Sequence, residues 1–170
     1  MSRTSIQRRL IATVVISQLL LAVGLAFVAL YFTRRQLRSA FDAQLHGRAM
    51  SIAALVRYSE DPHPKLIFET DLVPPPLGED GSDLYEVTNA GHIIARSANW
   101  PSNLQFVPRK NRQHANFELK GARYRGVRLA NLPVLDREAD TPSNDVLTVT
   151  YAAPTAAMAR AVALAAAGIA

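Results

Sequence analysis

The chain has 170 residues, of which 49% are hydrophobic and 19% charged, with 10 prolines and no cysteine. That composition excludes a disordered chain, a disulfide scaffold, a thiolate zinc site and a thiol nucleophile. The formal net charge is +5, but all 14 acids lie between Thr33 and Thr155 together with most of the bases, so that stretch is close to neutral. The pI near 10.0 therefore describes arginines that flank hydrophobic ends, not a basic face, and it argues against a nucleic-acid partner.

From Leu10 to Phe32 there is no charged residue, and most positions are Leu, Ile, Val or Phe. As a helix this segment would be ~34 Å long at about 1.5 Å per residue, enough for a hydrocarbon core of roughly 30 Å. The run is longer than the apolar region of a cleaved signal peptide, and no small-residue cleavage site follows it before Arg34-Arg35. The reading is an uncleaved anchor. Arginines stand on both sides (Arg3, Arg8, Arg9; Arg34, Arg35, Arg38), so charge alone does not set the orientation.

No breaker follows Phe32. Leu37, Phe41, Leu45, Ala49, Ile52 and Val56 recur every three or four residues, with Arg38, Asp42 and Arg57 off the stripe. This spacing predicts an amphipathic helix continuous with the span, bounded by Pro62 and Pro64. The stripe would pack on its own domain, and it could also pair two copies of the chain.

The middle of the chain predicts a sheet. Leu66-Ile67-Phe68 is a short strand, and the proline-rich segment from Val73 to Gly78 is an extended loop. Leu84–Thr88 and His92–Ser97 form a hairpin about Asn89-Ala90-Gly91, whose residue types tolerate positive φ. A second hairpin joins Asn116–Leu119 to Arg123–Leu129 through Lys120-Gly121, and Val146–Tyr151 is a β-branched strand. Five or six strands in consecutive hairpins imply an α+β domain, an antiparallel sheet with the helix on one face. The predicted core is Leu45, Ile52, Val56, Tyr85, Val87, Ile93, Phe117, Leu119, Val127, Leu129, Leu147 and Val149. After Pro154, with Thr155 able to cap it, an Ala-rich helix begins. Its uncharged part is too short to span, and it is expected to be the start of a second membrane helix, cut at Ala170.

The order of these pieces resembles the input region of a bacterial two-component sensor histidine kinase, and the nearest likeness is to the two-component sensor kinase N-terminal domain family. The residues that carry it are Phe41-Asp42-Ala43-Gln44-Leu45 with Arg48-Ala49 on the first helix, and the strand pair from Asp83 to Ser97. The resemblance implies a cytoplasmic tail over 1–9, a transmembrane helix over 10–32, a periplasmic PAS-like sensor domain over 33–154 and the start of a second transmembrane helix over 155–170. It also implies residence in the bacterial inner membrane, a homodimer formed through the membrane and first periplasmic helices, an unknown periplasmic ligand, and a response regulator reached through a kinase core. That core, with its ATP and magnesium, has no counterpart in these residues. His46, His63, His92 and His114 are followed by Gly, Pro, Ile and Ala, not by the acid that follows a phosphoacceptor histidine. The chain as given is therefore expected to be no enzyme. The alternative is a single-span envelope protein with a structural or assembly role.

Candidate site residues are few. Asp61-Pro62-His63 offers two metal ligands without a third at helical spacing and reads as a solvated loop. Eight acids between Glu60 and Glu86 face only Lys65, and they read as a solvated face balanced by the basic segment from Arg109 to Arg128. Within that segment Arg125 shares strand parity with Val127 and Leu129, so it points inward and needs a partner. The expected partner is a structural carboxylate such as Glu86, an anionic ligand being the other option. Arg96 and Ser97 end the first hairpin, where a sheet edge can meet a ligand. Tyr85, Arg96, Ser97 and Arg125 are the ligand-site candidates. No nucleophile–base pair can be assembled from spacing, and no metal site is expected.

Overall fold

The computed structural model describes residues 3–59, 65–77, 83–102, 104, 106, 108, 113–134, 145–156, 158–160 and 163. The predicted acids Glu60, Asp61, Glu79 and Asp80, the basic Arg109, Lys110 and Arg112, and most of the predicted second membrane helix lie outside them. The fold is mixed, one long helix followed by antiparallel sheets. Two compact units divide the chain, one of Met1–Ser39 with Arg160–Ala170 and one of Ala40–Ala159.

Helix α1 runs unbroken from Arg3 to Ala53. Its side chains from Leu10 to Phe32 are nearly all exposed, and it is the one helix among the described residues long and apolar enough to cross a membrane. Thr13, Ser17 and Thr33 return their hydroxyl protons to backbone carbonyls three or four residues earlier, which satisfies those polar groups within the helix itself.

In the second unit the last turns of α1 are amphipathic. Leu45, Ala49 and Ile52 are fully buried. The helix stops three residues before the predicted stripe does. Val56 opens β1 (Val56–Tyr58) and pairs antiparallel with β2 (Leu66–Phe68). No proline or glycine ends the helix. Beyond Ala53 the backbone finds partners in that ribbon, with Glu69 N–H donating to Leu55 O at 3.1 Å. A β-branched valine loses little in this exchange. Val56 keeps its place in the core, but as a strand residue.

Five further strands form one sheet: β3 (Leu84–Asn89), β4 (His92–Arg96), β5 (His114–Leu119), β6 (Ala122–Pro133) and β7 (Val146–Pro154). Their order is β4-β3-β7-β6-β5 and every pairing is antiparallel. The two hairpins close through Ala90-Gly91 and Lys120-Gly121, all four residues at positive φ, as two-residue turns matched to strand twist require. β6 is longer than predicted and continues past a bulge near Asn131, itself at positive φ.

β7 occupies the centre although it comes last, and it is buried on both faces. On one face Val87, Val149 and Leu129 stand side by side across three strands, and Leu45, Ala49 and Ile52 of α1 pack on this layer. On the other face Leu84, Ala152, Tyr124 and Trp100 form a smaller cluster, with Phe117 and Leu119 packed at its edge. Gly126 lies under the Phe106 ring. Tyr85, Phe117 and Leu119 are only partly buried. Ile93 does not belong to the core. It is 53% exposed on the edge strand β4, because the shift in pairing between Val87 and Thr88 breaks the simple alternation that placed it inside.

Candidate functional site

Tyr85 begins the site. It sits second in β3, its side chain on the α1-facing side of the sheet, directly opposite Tyr151 of β7. Its backbone is tied twice to Ser97, just past the end of β4. Ser97 N–H donates to Tyr85 O at 2.9 Å and Tyr85 N–H donates to Ser97 Oγ at 3.2 Å. The Tyr85 ring stacks on Phe68 of β2 at a centroid distance of 5.8 Å. Burial pushes the Tyr85 phenol pKa up.

Asp83 immediately precedes β3. Its Oδ2 accepts two hydrogen bonds, from Tyr151 Oη at 2.5 Å and from Leu77 N–H at 2.6 Å. The second bond pins the end of the proline-rich loop to the sheet. Tyr151 is only 4% exposed. Burial first, and then the bond to Asp83 and its negative charge, push the Tyr151 phenol well above its ordinary range, with a smaller opposing effect of the Arg48 charge. Tyr151 is thus a neutral hydroxyl whose proton is committed to Asp83. The other carboxylate oxygen, Asp83 Oδ1, is buried and has no hydrogen-bond partner among the described residues.

These groups border one cavity of about 330 Å³, at the lower end of the range of small-molecule sites. Val73, Pro74 and Pro76 form an apolar wall, and Asp83, Tyr85, Ser97 and Tyr151 supply polar atoms, with Asn99 at the rim. The loop's prolines hold the wall extended, since each fixes φ and leaves its neighbour little choice.

Two of the four sequence candidates, Tyr85 and Ser97, therefore share this cavity. The other two are elsewhere. Arg96 pairs with Glu86 directly across the hairpin, its Nε and Nη2 donating to Glu86 Oε1 at 3.0 and 2.6 Å. That removes Glu86 as the partner of Arg125. Arg125 instead reaches Asp42 of α1 in a two-pronged ion pair, Nε to Oδ1 and Nη2 to Oδ2, while Nη1 donates to Asn116 Oδ1 at 2.7 Å. Asp42, off the apolar stripe by spacing, is not a solvent-facing residue. It lies one turn before Leu45 and meets the same face of the sheet.

No protein-family model matches the chain, and neither does any curated protein or solved structure. The site is accordingly judged on its own chemistry. Among the described residues no group of His, Asp and Glu could hold a metal ion. The polar groups that the cavity offers are those of Asp83, Tyr85, Ser97, Asn99 and Tyr151. Asp83, Tyr151 and the Val73–Pro76 wall were missed by sequence reasoning. Asp83 was one acid among eight, and only the β3–β7 register places it against Tyr151. The one local signal was a carboxylate at the entry of a strand, following a proline-rich loop whose N–H groups need acceptors.

Proposed function

We propose that this chain is the membrane-anchored input region of a bacterial two-component sensor histidine kinase, with its sheet domain in the periplasm and its cavity as the stimulus site. The observation that carries the reading is the single helix α1. It holds an apolar stretch long enough to span a bilayer and, without a break, the buried residues Leu45, Ala49 and Ile52 that dock on the sheet. A helix built so would carry a small displacement of the sheet domain into the membrane, because a packed helix moves as a rigid element. A ligand favouring one sheet–helix arrangement would bias an attached kinase by its differential affinity for the two states. The five-stranded antiparallel sheet with a helix over one face supports a PAS-like assignment. A second membrane helix beginning near Thr155 would return the signal to the cytoplasm. In this reading autophosphorylation with ATP and magnesium, and contact with the response regulator, belong to a kinase core outside these residues, and the chain works as a homodimer through α1.

The test is topology together with signalling. Alkaline phosphatase fused after Pro133 is expected to be active and green fluorescent protein at the same place dark, with the sheet domain cut by external protease in spheroplasts. The chain joined to a kinase core is expected to change its autophosphorylation when Asp42 is altered. A cytoplasmic sheet domain overturns the sensor reading. Correct topology with no effect on a coupled kinase favours the single-span envelope protein.

A further inference from the structure

The apolar run of α1 ends in a cluster of arginines. In the unit of Met1–Ser39 with Arg160–Ala170 the charged side chains are Arg3, Arg8, Arg9, Arg34, Arg35, Arg38 and Arg160, and all 14 acids belong to the other unit. Arg34, Arg35 and Arg38 follow the run on α1 and are exposed. Residues three and four apart are neighbours on a helix, so Arg38 stands beside both Arg34 and Arg35, and like charges at that spacing repel. None of the three forms an ion pair among the described residues. The first acid of the chain, Asp42, is one turn beyond Arg38, but its carboxylate is held by Arg125. Counter-charge for this cluster therefore comes from outside the described residues.

We propose that Arg34, Arg35 and Arg38 bind the anionic headgroups of phospholipids in the leaflet where α1 leaves the membrane toward the sheet domain. Depth supports this. Tyr31 and Phe32 close the apolar run, 63% and 54% exposed, with their rings edge to face at 5.9 Å, and a tyrosine so placed belongs at the headgroup level of a bilayer. At about 1.5 Å per residue, Arg34 lies ~3 Å past Phe32 and Arg38 ~9 Å, against a headgroup layer of roughly 5–8 Å on each side. Helix side chains lean toward the helix N-terminus, which at this end of the span is toward the bilayer. The long stem of Arg38 therefore returns its guanidinium to phosphate depth, whereas Arg8 and Arg9 at the other end lean away from the hydrocarbon. A guanidinium meets a phosphate through two parallel N–H bonds, and each arginine near an anionic surface adds to the attraction. An acidic protein partner fits less well, because it would have to enter the headgroup layer to reach Arg34 and Arg35. Bound in this way, the headgroups hold α1 at one depth against sliding along its axis. The inference rests on α1 spanning the membrane and on no part of the kinase reading.

The test uses the full chain reconstituted in phosphatidylcholine vesicles, with spin-labelled phosphatidylglycerol and spin-labelled phosphatidylcholine as probes. Electron spin resonance reads the fraction of each probe immobilised at the protein. Phosphatidylglycerol is expected to be preferred at least about threefold at low salt, and the preference is expected to fall in about 1 M sodium chloride, where the Debye length is roughly 3 Å. The triple variant Arg34→Gln, Arg35→Gln, Arg38→Gln is expected to lose most of the preference. The triple variant Arg34→Lys, Arg35→Lys, Arg38→Lys keeps the charge and is expected to keep the preference, as is the double variant Arg8→Gln, Arg9→Gln. All five positions are exposed and lie outside the sheet unit, so the variants leave its core untouched. No preference in the wild type overturns the inference, and so does a preference that the triple glutamine variant retains. Equal loss in the triple and double glutamine variants overturns the assignment to this end of the span. Extraction by alkaline carbonate is measured on the same vesicles. A chain that carbonate removes overturns the span and the inference together. A resistant chain without lipid preference overturns the inference alone and leaves the anchored-sensor reading standing.

Discussion

Arg125 of β6 and Asp42 of α1 are 83 residues apart in the chain and form a two-pronged ion pair, with Arg125 only 7% exposed. Together with Asn116 this pair joins the first helix to two adjacent strands of the sheet. Removing one partner of such a pair leaves a buried charge uncompensated. Asp42→Ala should therefore destabilise the sheet domain by about 3–5 kcal/mol, read as a lower urea midpoint at unchanged slope. Asp42→Ala combined with Arg125→Met should recover most of the loss. If the double variant is as unstable as the single one, the pair does not act as a unit.

The Arg96–Glu86 pair is the contrasting case. Both side chains are partly solvated, 33% and 21% exposed, and solvent screens their attraction. Arg96→Ala should cost less than about 1 kcal/mol. A larger loss in the same urea titration would contradict this account.

Gly126 is held at its minimum size by Phe106. A Cβ there would lie 2.8 Å from the ring and 3.1 Å from the Ala152 Cβ. Gly126→Ala should cost about 1–3 kcal/mol through overpacking, and pairing it with Phe106→Leu should return part of that. Thermal melts of the two variants and their combination decide it.

Ile52 is 1% exposed where α1 meets the sheet. Ile52→Ala should lower stability by roughly 2–5 kcal/mol. In a chimaera with a kinase core it should also weaken coupling between stimulus and phosphorylation, since the helix would lose its grip on the sheet. Equal coupling in wild type and variant would place signal transfer elsewhere.

Alkali should unfold the sheet domain through Tyr151 and Tyr85. Both phenols have pKa values raised above the ordinary 10.0, so the folded state holds their protons more tightly than the unfolded chain. The stability they contribute is whole below about pH 10 and falls as pH climbs above it, where the unfolded chain has already released the proton. Tyr151→Phe should flatten that fall, measured as urea midpoints between pH 8 and pH 11. Asp145 works at the other end of the scale. Hydrogen bonds from Tyr58 and Asn89 lower its pKa, so its contribution is present at neutral pH and is lost as acid protonates it.

The local features were legible because local physics decides them. The 23-residue uncharged run from Leu10 to Phe32 needs only composition and length to read as a spanning helix. The turns at Ala90-Gly91 and Lys120-Gly121 follow from residues that accept positive φ. The inward parity of Arg125 with Val127 and Leu129 follows from the period of two in a strand. Two local readings went wrong where a second element competed. Val56 has helical spacing but joins β2, and Ile93 alternates correctly but stands on an edge strand next to a shift in pairing.

Pairing across the fold was not legible. Glu86 was the example of a carboxylate partner for Arg125, yet β7 inserts between β3 and β6, and Glu86 shares the Thr150 face of the sheet while Arg125 shares the Ala153 face. The same insertion sets Tyr151 opposite Tyr85 and brings its hydroxyl to Asp83, which makes the cavity. By itself the sequence determined an apolar span, an amphipathic continuation and a set of antiparallel hairpins, since periodicity, turn chemistry and hydropathy act over a few residues. Only the tertiary structure decided which carboxylate neutralises Arg125 and which one accepts the Tyr151 hydroxyl. Those outcomes depend on strand order, and strand order is settled by packing of the whole core.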